Sequence, residues 1–330
     1  MRAPTTRRAV ALLVAVVLAC AGCSATTDAV GDRATPTGGP PSPAGAIEVT
    51  SLPGSEQADT SCDPTASLRP QGALPGPNDL PPGSPMAKIR GQGKLIVGVD
   101  QNTYKFGFRN PITGELEGFD LDMAHQIAAA IFGDANAIQL RVLTSAQRVD
   151  AVKNGDVNLV VQTMTINCER RKDVEFSTVY YESGQRVLVK KNSGFTGIDS
   201  LGGKKVCAAK GSTSLPNIVN SASKPIGVQV PNWTDCLVML QQNQIDAVST
   251  DDTILAGLAA QDPFTEVVGK PISAEPYGMA IPKDQPEFVR FVNGVLERMR
   301  ADGTWAAIYN KWLSELLGPA PAPPQARYRD

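Results

Sequence analysis

Lys94-Leu-Ile-Val-Gly-Val99 is a continuous β-branched run, and Gly118-Phe-Asp-Leu-Asp-Met-Ala-His-Gln-Ile-Ala-Ala-Ala-Ile-Phe132 follows it with apolar residues at helical spacing. The first run predicts a buried strand and the second an amphipathic helix. We expect Asp120 to cap this helix at its start and Gly133 to end it. A buried strand followed by a helix is typical of an α/β protein with a parallel sheet.

The same alternation continues toward the C-terminus, which predicts α/β lobes with mainly parallel sheets. Further helices are predicted at residues 147–154, from 214, at 234–242, from 252, and twice within 286–317. Further strands are predicted at Gln139–Leu143, Val157–Met164, Arg186–Lys190, Lys205–Ala209, Val228–Pro231 and Ile245–Ser249.

The N-terminus has the features of an export signal. A basic stretch at residues 1–8 precedes the apolar run Ala9–Ala19 and the small residues before Cys23. This apolar run of 11 residues is shorter than the roughly twenty that a transmembrane helix needs. We therefore predict that residues 1–22 are a signal peptide and that the protein is exported.

The segment after the signal peptide has the composition of a linker. Residues 24–85 hold 12 of the chain's 26 prolines and show little periodic apolar pattern. Such a segment cannot bury enough apolar surface to fold by itself. We expect residues 23–85 to be disordered, residues 86–318 to form the folded part, and the proline-rich residues 319–330 to be a loose tail.

Composition excludes several function classes. The chain has 31 basic and 33 acidic residues in a mixed distribution, which gives no basic stripe for nucleic acid. His125 is the single histidine, so a serine or cysteine triad and the usual zinc geometries lack their ligands. The glycines at 91 and 93 precede a strand instead of following it, which does not fit a dinucleotide site. We predict no catalytic residue, no metal and no cofactor.

Several motifs together resemble one family. The motifs are Gly118-Phe-Asp-Leu-Asp122, Asn154-Gly-Asp156, Thr163-Met-Thr-Ile-Asn-Cys-Glu-Arg170, Lys210-Gly-Ser-Thr-Ser214, Ile245-Asp-Ala-Val-Ser-Thr-Asp251, Tyr277-Gly278 and Asp302-Gly-Thr-Trp305. With these motifs in this order between Lys94 and Leu313, the chain resembles the polar amino-acid branch of the bacterial extracellular solute-binding proteins that serve ABC importers.

The resemblance implies a two-lobed periplasmic-binding-protein fold of type II, with two hinge strands and a ligand cleft between the lobes. Lobe 1 would be residues 86–187 and 283–318, and lobe 2 residues 188–282. Cys20-Ala-Gly-Cys23 resembles a bacterial lipobox, although Cys20 stands where leucine is usual. Lipidation of Cys23 would hold the protein at the outer face of the cytoplasmic membrane, whereas simple cleavage is the alternative.

Four further cysteines would meet an oxidising compartment after export, where structural disulfides are typical. Four cysteines allow three pairings. We favour Cys207 with Cys236, because the resemblance places both in lobe 2. This choice leaves Cys62 to join the end of the linker to Cys168.

The resemblance also implies a clamp for an amino-acid zwitterion. Arg170 would bind the α-carboxylate, because an arginine fork matches carboxylate geometry, and Asp251 on the other lobe would bind the α-ammonium. Supporting polar groups are expected from the start of a lobe 2 helix and from the loop after the first strand, where Lys105 replaces a frequent proline. These supporting residues are Thr163, Thr165, Ser212, Thr213, Asp100, Thr103 and Tyr104.

Ligand choice is expected to depend on Ser145 and Arg148. The stretch Thr144-Ser-Ala-Gln-Arg148 resembles the acidic amino-acid binders of the family, in which such residues engage the end of the ligand's side chain. Arg148 would favour glutamate or aspartate and would tolerate glutamine or asparagine. Ala209 stands where some glutamine binders have a basic residue, which argues mildly against a pure glutamine site.

The sequence therefore predicts a monomer that binds a free polar amino acid and delivers it to an ABC importer without chemistry. Two alternatives remain open. The protein could be an amino-acid sensing subunit that signals to a membrane partner, or a periplasmic dehydratase on the same fold.

Overall fold

The computed structural model describes residues 40–52 and 62–329 of the chain. Its strands are β1 (Ile47–Val49), β2 (Leu95–Val99), β3 (Asn102–Thr103), β4 (Gly107–Arg109), β5 (Leu116–Glu117), β6 (Ile138–Val142), β7 (Leu159–Val160), β8 (Val174–Phe176), β9 (Tyr181–Lys190), β10 (Lys205–Ala209), β11 (Ile226–Val230), β12 (Ala247–Asp251), β13 (Thr265–Val268), β14 (Ala274–Tyr277) and β15 (Ala280–Pro282). Its helices are α1 (Pro85–Gly91), α2 (Phe119–Phe132), α3 (Arg148–Lys153), α4 (Cys168–Arg171), α5 (Ser214–Val219), α6 (Trp233–Gln241), α7 (Asp252–Gln261), α8 (Pro286–Ala301), α9 (Thr304–Trp312) and α10 (Ser314–Leu317).

The predicted signal peptide and the predicted lipidation site, Cys23, lie outside the described residues. Among the residues that are described, no helix combines the length and the apolar character needed to cross a membrane.

Lobe 1 is built on a five-stranded sheet in the order β6-β2-β7-β15-β8. Strand β2 is parallel to β6 and β7, while β15 is antiparallel to β7 and β8. Helix α2 buries Phe119, Leu121 and Ile127 in the core of this lobe, and Gly133 ends it in the left-handed conformation, as predicted. Helices α8 and α9 belong to the same core through Phe288 and other apolar residues.

Lobe 2 is built on a seven-stranded sheet in the order β1-β11-β10-β12-β9-β13, with β14 also paired to β9. Strands β11, β10 and β12 are parallel, but β9 pairs antiparallel with β12, β13 and β14. The expectation of mainly parallel sheets is therefore wrong outside the central strands. Strand β9 enters lobe 2 directly from lobe 1 without a crossover helix, and such a helix is the usual connection between parallel strands.

The hinge consists of β9 and β14. The first part of β9 pairs with β14, from Tyr181 opposite Tyr277 to Gly184 opposite Ala274, and the rest of β9 pairs within lobe 2. Gln185 pairs in the sheet of lobe 2, and residues 280–282 already belong to the sheet of lobe 1. The chain thus passes between the lobes a few residues before the predicted boundaries at 187/188 and 282/283. The boundaries were misplaced because the strand pattern of the sequence runs through the hinge without a break.

The disordered linker predicted for residues 23–85 is wrong for the part that the structure describes. Strand β1 adds antiparallel to the edge strand β11 of lobe 2. Further along, the Ser67 hydroxyl donates to the Phe176 carbonyl at 2.6 Å, and Leu68 and Leu74 pack against the core of lobe 1. These residues are ordered by contacts with distant parts of the chain, which a search for local periodicity does not detect.

The loose tail predicted for residues 319–330 is also wrong where the structure describes it. Tyr328 forms a parallel bridge with Ser67. The Arg329 guanidinium lies 3.0 Å from the Glu175 carboxylate. The C-terminal residues therefore lie against the ordered part of the N-terminal segment and against lobe 1.

Both favoured disulfides are confirmed. Cys62 is bonded to Cys168 with 5.9 Å between their Cα atoms, and Cys207 is bonded to Cys236 with 5.6 Å. The first bond joins the N-terminal segment to the start of α4, and the second joins β10 to α6 within lobe 2.

Candidate functional site

A small polar cavity lies between the lobes. Its walls come from the segments that follow the carboxyl ends of strands, which is where open α/β sheets bind ligands. Eight of the eleven ligand-binding residues predicted from the sequence lie around it: Ser145, Arg148, Thr163, Thr165, Arg170, Ser212, Thr213 and Asp251.

Arg170 enters the cavity from α4 of lobe 1. The Asn167 side chain caps this short helix by accepting the Arg170 N–H at 2.8 Å. The Arg170 guanidinium donates to the Thr165 carbonyl at 2.5 Å and, across the cleft, to the Gly211 carbonyl at 3.1 Å. Burial, together with the nearby charge of Arg148, lowers the pKa of Arg170 to about 9.

Arg148 is almost completely buried, with 3% of its surface exposed. Its guanidinium donates to the Ser145 carbonyl at 3.0 Å and to the Gln162 carbonyl at 2.9 Å. Burial lowers the pKa of this guanidinium as well. In this arrangement Arg148 holds the wall of lobe 1 together, and together with the partly exposed Arg170 it gives the cavity wall two cations. An anion between them would relieve their mutual repulsion.

Thr163 has an unusual backbone. Its φ of 38° is left-handed, which is an outlier for a β-branched residue. The strand predicted over Val157–Met164 is therefore wrong beyond β7, and Thr163 and Thr165 are not neighbours on one strand face. The Thr163 N–H donates to the Asp120 carboxylate at 2.8 Å, and this hydrogen bond stabilises the strained backbone.

Asp120 supports the site and does not cap α2. It lies inside the helix, accepts from Thr163 and also accepts from the Tyr180 hydroxyl at 2.8 Å. Burial raises its pKa to about 7. The cap prediction failed because the partners of Asp120 lie 43 and 60 residues away in the sequence.

Asp251 faces the cavity from lobe 2, at the end of β12. It is 4% exposed and accepts from the Tyr277 hydroxyl at 2.6 Å. Burial, and next the nearby charge of Glu275, raises the pKa of Asp251 to about 8. In the absence of a bound cation this carboxyl therefore holds a proton near neutral pH.

Asp100, Thr103 and Tyr104, in the loop after β2, are not among the residues that line the cavity, and their predicted contact with the ligand stays a prediction. The Asp100 carboxylate accepts from the Thr103 hydroxyl at 2.6 Å and from two backbone N–H groups of its own loop. Tyr104 packs edge-on against Phe108. Lys105 has a left-handed φ of 68°, a conformation that proline cannot adopt.

Sequence reasoning missed further residues of the cleft. The cavity wall also contains Ser214, Trp233, Thr250 and Ile254. Glu275, which is 2% exposed, accepts from the hydroxyls of Thr165 and Thr213. An acidic residue inside the hinge strand Ala274–Tyr277, where apolar residues are usual, was the signal that could have identified it.

Two α/β lobes that join through a pair of hinge strands and enclose a polar cavity define a solute-binding protein. Residues 95–315 match the family of bacterial extracellular solute-binding proteins, family 3, and the chain belongs to this family.

Relatives of known name agree with this assignment. The chain is 42% identical over 231 residues to the ABC transporter glutamine-binding protein GlnH of Bacillus subtilis, which covers 70% of this chain and 85% of that protein. It is 32% identical to the glutamate-binding protein GluB of Corynebacterium glutamicum, over 68% of this chain and 79% of that protein. The structure of an ancestral arginine-binding protein bound to glutamine superposes with a TM-score of 0.63 at 33% identity, covering 67% of this chain and 98% of that one.

The two lobes approach each other closely at Gly211 and Ala146. A Cβ added to Gly211 would lie 2.6 Å from the Ala146 Cα and 2.9 Å from its nitrogen. Gly203, in the same lobe, has a similar left-handed φ of 68° but open space around it.

We therefore expect Gly211→Ala to stop the lobes from closing fully, while Gly203→Ala introduces the same kind of backbone strain without the clash. Small-angle X-ray scattering with a mixture of the common amino acids checks this. The unaltered protein and Gly203→Ala should contract, and Gly211→Ala should keep a larger radius of gyration. Contraction of all three to one radius would contradict the close approach.

Proposed function

We propose that this protein captures a free polar amino acid, glutamine or glutamate, outside the cytoplasm and delivers it unchanged to an ABC importer. The observation that carries the proposal is the placement of Arg170 and Asp251 around one cavity from opposite lobes. The names of the Bacillus and Corynebacterium relatives support the ligand class and the importer. Aspartate and asparagine remain within the same expectation.

The two charges fit the two ends of an amino acid. The guanidinium of Arg170 offers a planar fork to an α-carboxylate, and the Asp251 carboxylate offers an acceptor to an α-ammonium. A zwitterion between them would contact both lobes at once, so binding and closure of the cleft would occur together.

The proposal includes no reaction on the ligand. The residues that the structure places around the cavity include no histidine, lysine or cysteine. The single histidine, His125, has its Nδ1 atom 2.6 Å from the Ala135 carbonyl at the far end of α2. The charged side chains in the cavity wall are Arg148, Arg170 and Asp251, and we assign the last two to holding the zwitterion.

Isothermal titration calorimetry with a panel of amino acids tests the ligand class. We expect glutamine or glutamate to bind with a Kd below about 10 μM, which corresponds to roughly 7 kcal/mol. Arg170→Ala should weaken binding by about a hundredfold or more, because a charge-assisted contact is lost. Surface Arg141→Ala is the control, since Arg141 is exposed beside Asp156. Absence of binding by every panel member would sink the proposal, and mass spectrometry of the recovered ligand should show it unchanged.

The raised pKa of Asp251 predicts a pH effect on binding. The free protein holds a proton on this carboxyl below about pH 8, and an α-ammonium needs the ionised form. Ligand binding at pH 7 should therefore release a proton, and affinity should rise as the pH approaches 8.

Calorimetry at pH 7 in buffers of different ionisation enthalpy measures this release. Asp251→Asn should bind weakly and should remove the Asp251 contribution to the release. Equal observed enthalpies in all buffers for the unaltered protein would argue against a protonated Asp251.

We further propose that Cys23 carries a lipid that holds the protein at the outer face of the cytoplasmic membrane. The motif Cys20-Ala-Gly-Cys23 and the basic and apolar segments before it support this anchor. Cys23→Ala should move the protein from the membrane fraction to the medium, measured by immunoblotting of cell fractions. Retention of Cys23→Ala in the membrane fraction at the unaltered level would refute the anchor.

A further inference from the structure

Glu275 is a buried acidic residue of the cleft that the proposed clamp does not use. It lies on the hinge strand β14 with 2% of its surface exposed. Buried carboxylates are costly unless hydrogen bonds or opposite charges compensate them. Glu275 has both hydrogen-bond donors and an opposite charge around it, and these groups come from both lobes.

The carboxylate of Glu275 joins the two walls of the cavity. One oxygen accepts from the Thr165 hydroxyl of lobe 1 at 2.7 Å and from the Thr213 hydroxyl of lobe 2 at 2.7 Å. The other oxygen accepts from the Ser273 hydroxyl on the same hinge strand region. Thr165 and Thr213 both line the cavity.

These contacts fix what the two threonines offer to a ligand. A hydroxyl has one proton to donate, and an ionised carboxylate can only accept. Thr165 and Thr213 therefore donate their hydroxyl protons to Glu275, and their oxygens can only accept hydrogen bonds from other partners. A ligand group that meets these oxygens has to be a donor.

Glu275 also completes the charge balance of the cleft. Arg148 and Arg170 supply two positive charges, and Asp251, once ionised by a bound ammonium, and Glu275 supply two negative ones. An amino acid with a neutral side chain adds no net charge to this set. An acidic amino acid adds one uncompensated negative charge, and ionisation of the buried Asp100 or Asp120 would increase the excess.

We propose that Glu275 is a specificity-determining residue that makes the cleft prefer L-glutamine over L-glutamate. It does so through its charge and through its hydrogen bonds with Thr165 and Thr213. The inference rests on the proposed function, because it concerns the ligand of the same cavity. It reverses the ligand preference expected from Arg148 alone, whose guanidinium donates to backbone carbonyls in this structure.

Calorimetric titration of L-glutamine and L-glutamate into three proteins tests the assignment. Glu275→Gln removes the charge but keeps the shape and one oxygen that accepts from both threonines. Glu275→Asp keeps the charge on a shorter side chain. Glu182→Gln is the matched control, because Glu182 lies on the other hinge strand, opposite Pro276, and is exposed to solvent.

We expect the unaltered protein to bind glutamine at least about tenfold more tightly than glutamate. Glu275→Gln should reduce this ratio by about tenfold or more, mainly through tighter binding of glutamate. Glu275→Asp and Glu182→Gln should keep the preference for glutamine. Thermal unfolding without ligand should show that all variants are folded at the temperature of the titrations.

An unchanged ratio in Glu275→Gln overturns the assignment. An equal loss of affinity for both ligands also overturns it, since it would show a merely structural role. A preference of the unaltered protein for glutamate does the same. Binding of neither ligand by any of the proteins would instead refute the proposed function, and the role of Glu275 with it.

Discussion

The contact of the Arg170 guanidinium with carbonyls on both sides of the cleft is the interaction on which the functional arrangement depends. Its bonds to Thr165 of lobe 1 and Gly211 of lobe 2 hold a positive charge between two lobes that otherwise have separate cores. The charge of Arg148 lies nearby and disfavours this guanidinium, while the charges of Glu275 and Asp251 partly offset that cost. An anionic group that enters the cavity would therefore lower the electrostatic free energy of the two arginines.

The short helix that carries Arg170 is reinforced by a part of the chain that precedes the family match. Helix α4 has four residues, too few to be stable by itself. Cys168 bonds it to Cys62, and the Arg171 side chain donates to the carbonyls of Pro64 and Ala66 at 2.8 and 2.9 Å. The ordered N-terminal segment thus stabilises α4 and thereby fixes the position of Arg170 in the cavity wall.

Local patterns in the sequence predicted the elements that depend on neighbouring residues. The buried run at Leu95–Val99 and the periodic helix that Gly133 ends were both visible as short-range signals. The motif order placed most of the cavity wall correctly, because the ends of parallel strands converge wherever the lobes have this topology.

Features that depend on distant contacts could not be predicted in the same way. Aspartate is a common helix cap, yet the Asp120 carboxylate accepts hydrogen bonds from Thr163 and Tyr180 across the lobe. The proline-rich composition of residues 62–84 is typical of disorder, but a disulfide and buried hydrogen bonds order this segment. In both cases the partner lies more than forty residues away, so no window of the sequence contains the interaction.

The hinge strand β14 connects closure of the lobes with the charge of the ligand. Glu275 and Tyr277 are two residues apart on this strand, so their side chains leave it on the same face. One holds Thr165 and Thr213 together, and the other donates to Asp251. Because these contacts start from the strand that must bend when the lobes separate, opening would disturb the anchors of the cavity wall on both sides. The hinge strand is therefore bonded to the cavity wall of both lobes, and our proposal for Glu275 implies that a substitution on it changes which ligand is held as well as how far the lobes move.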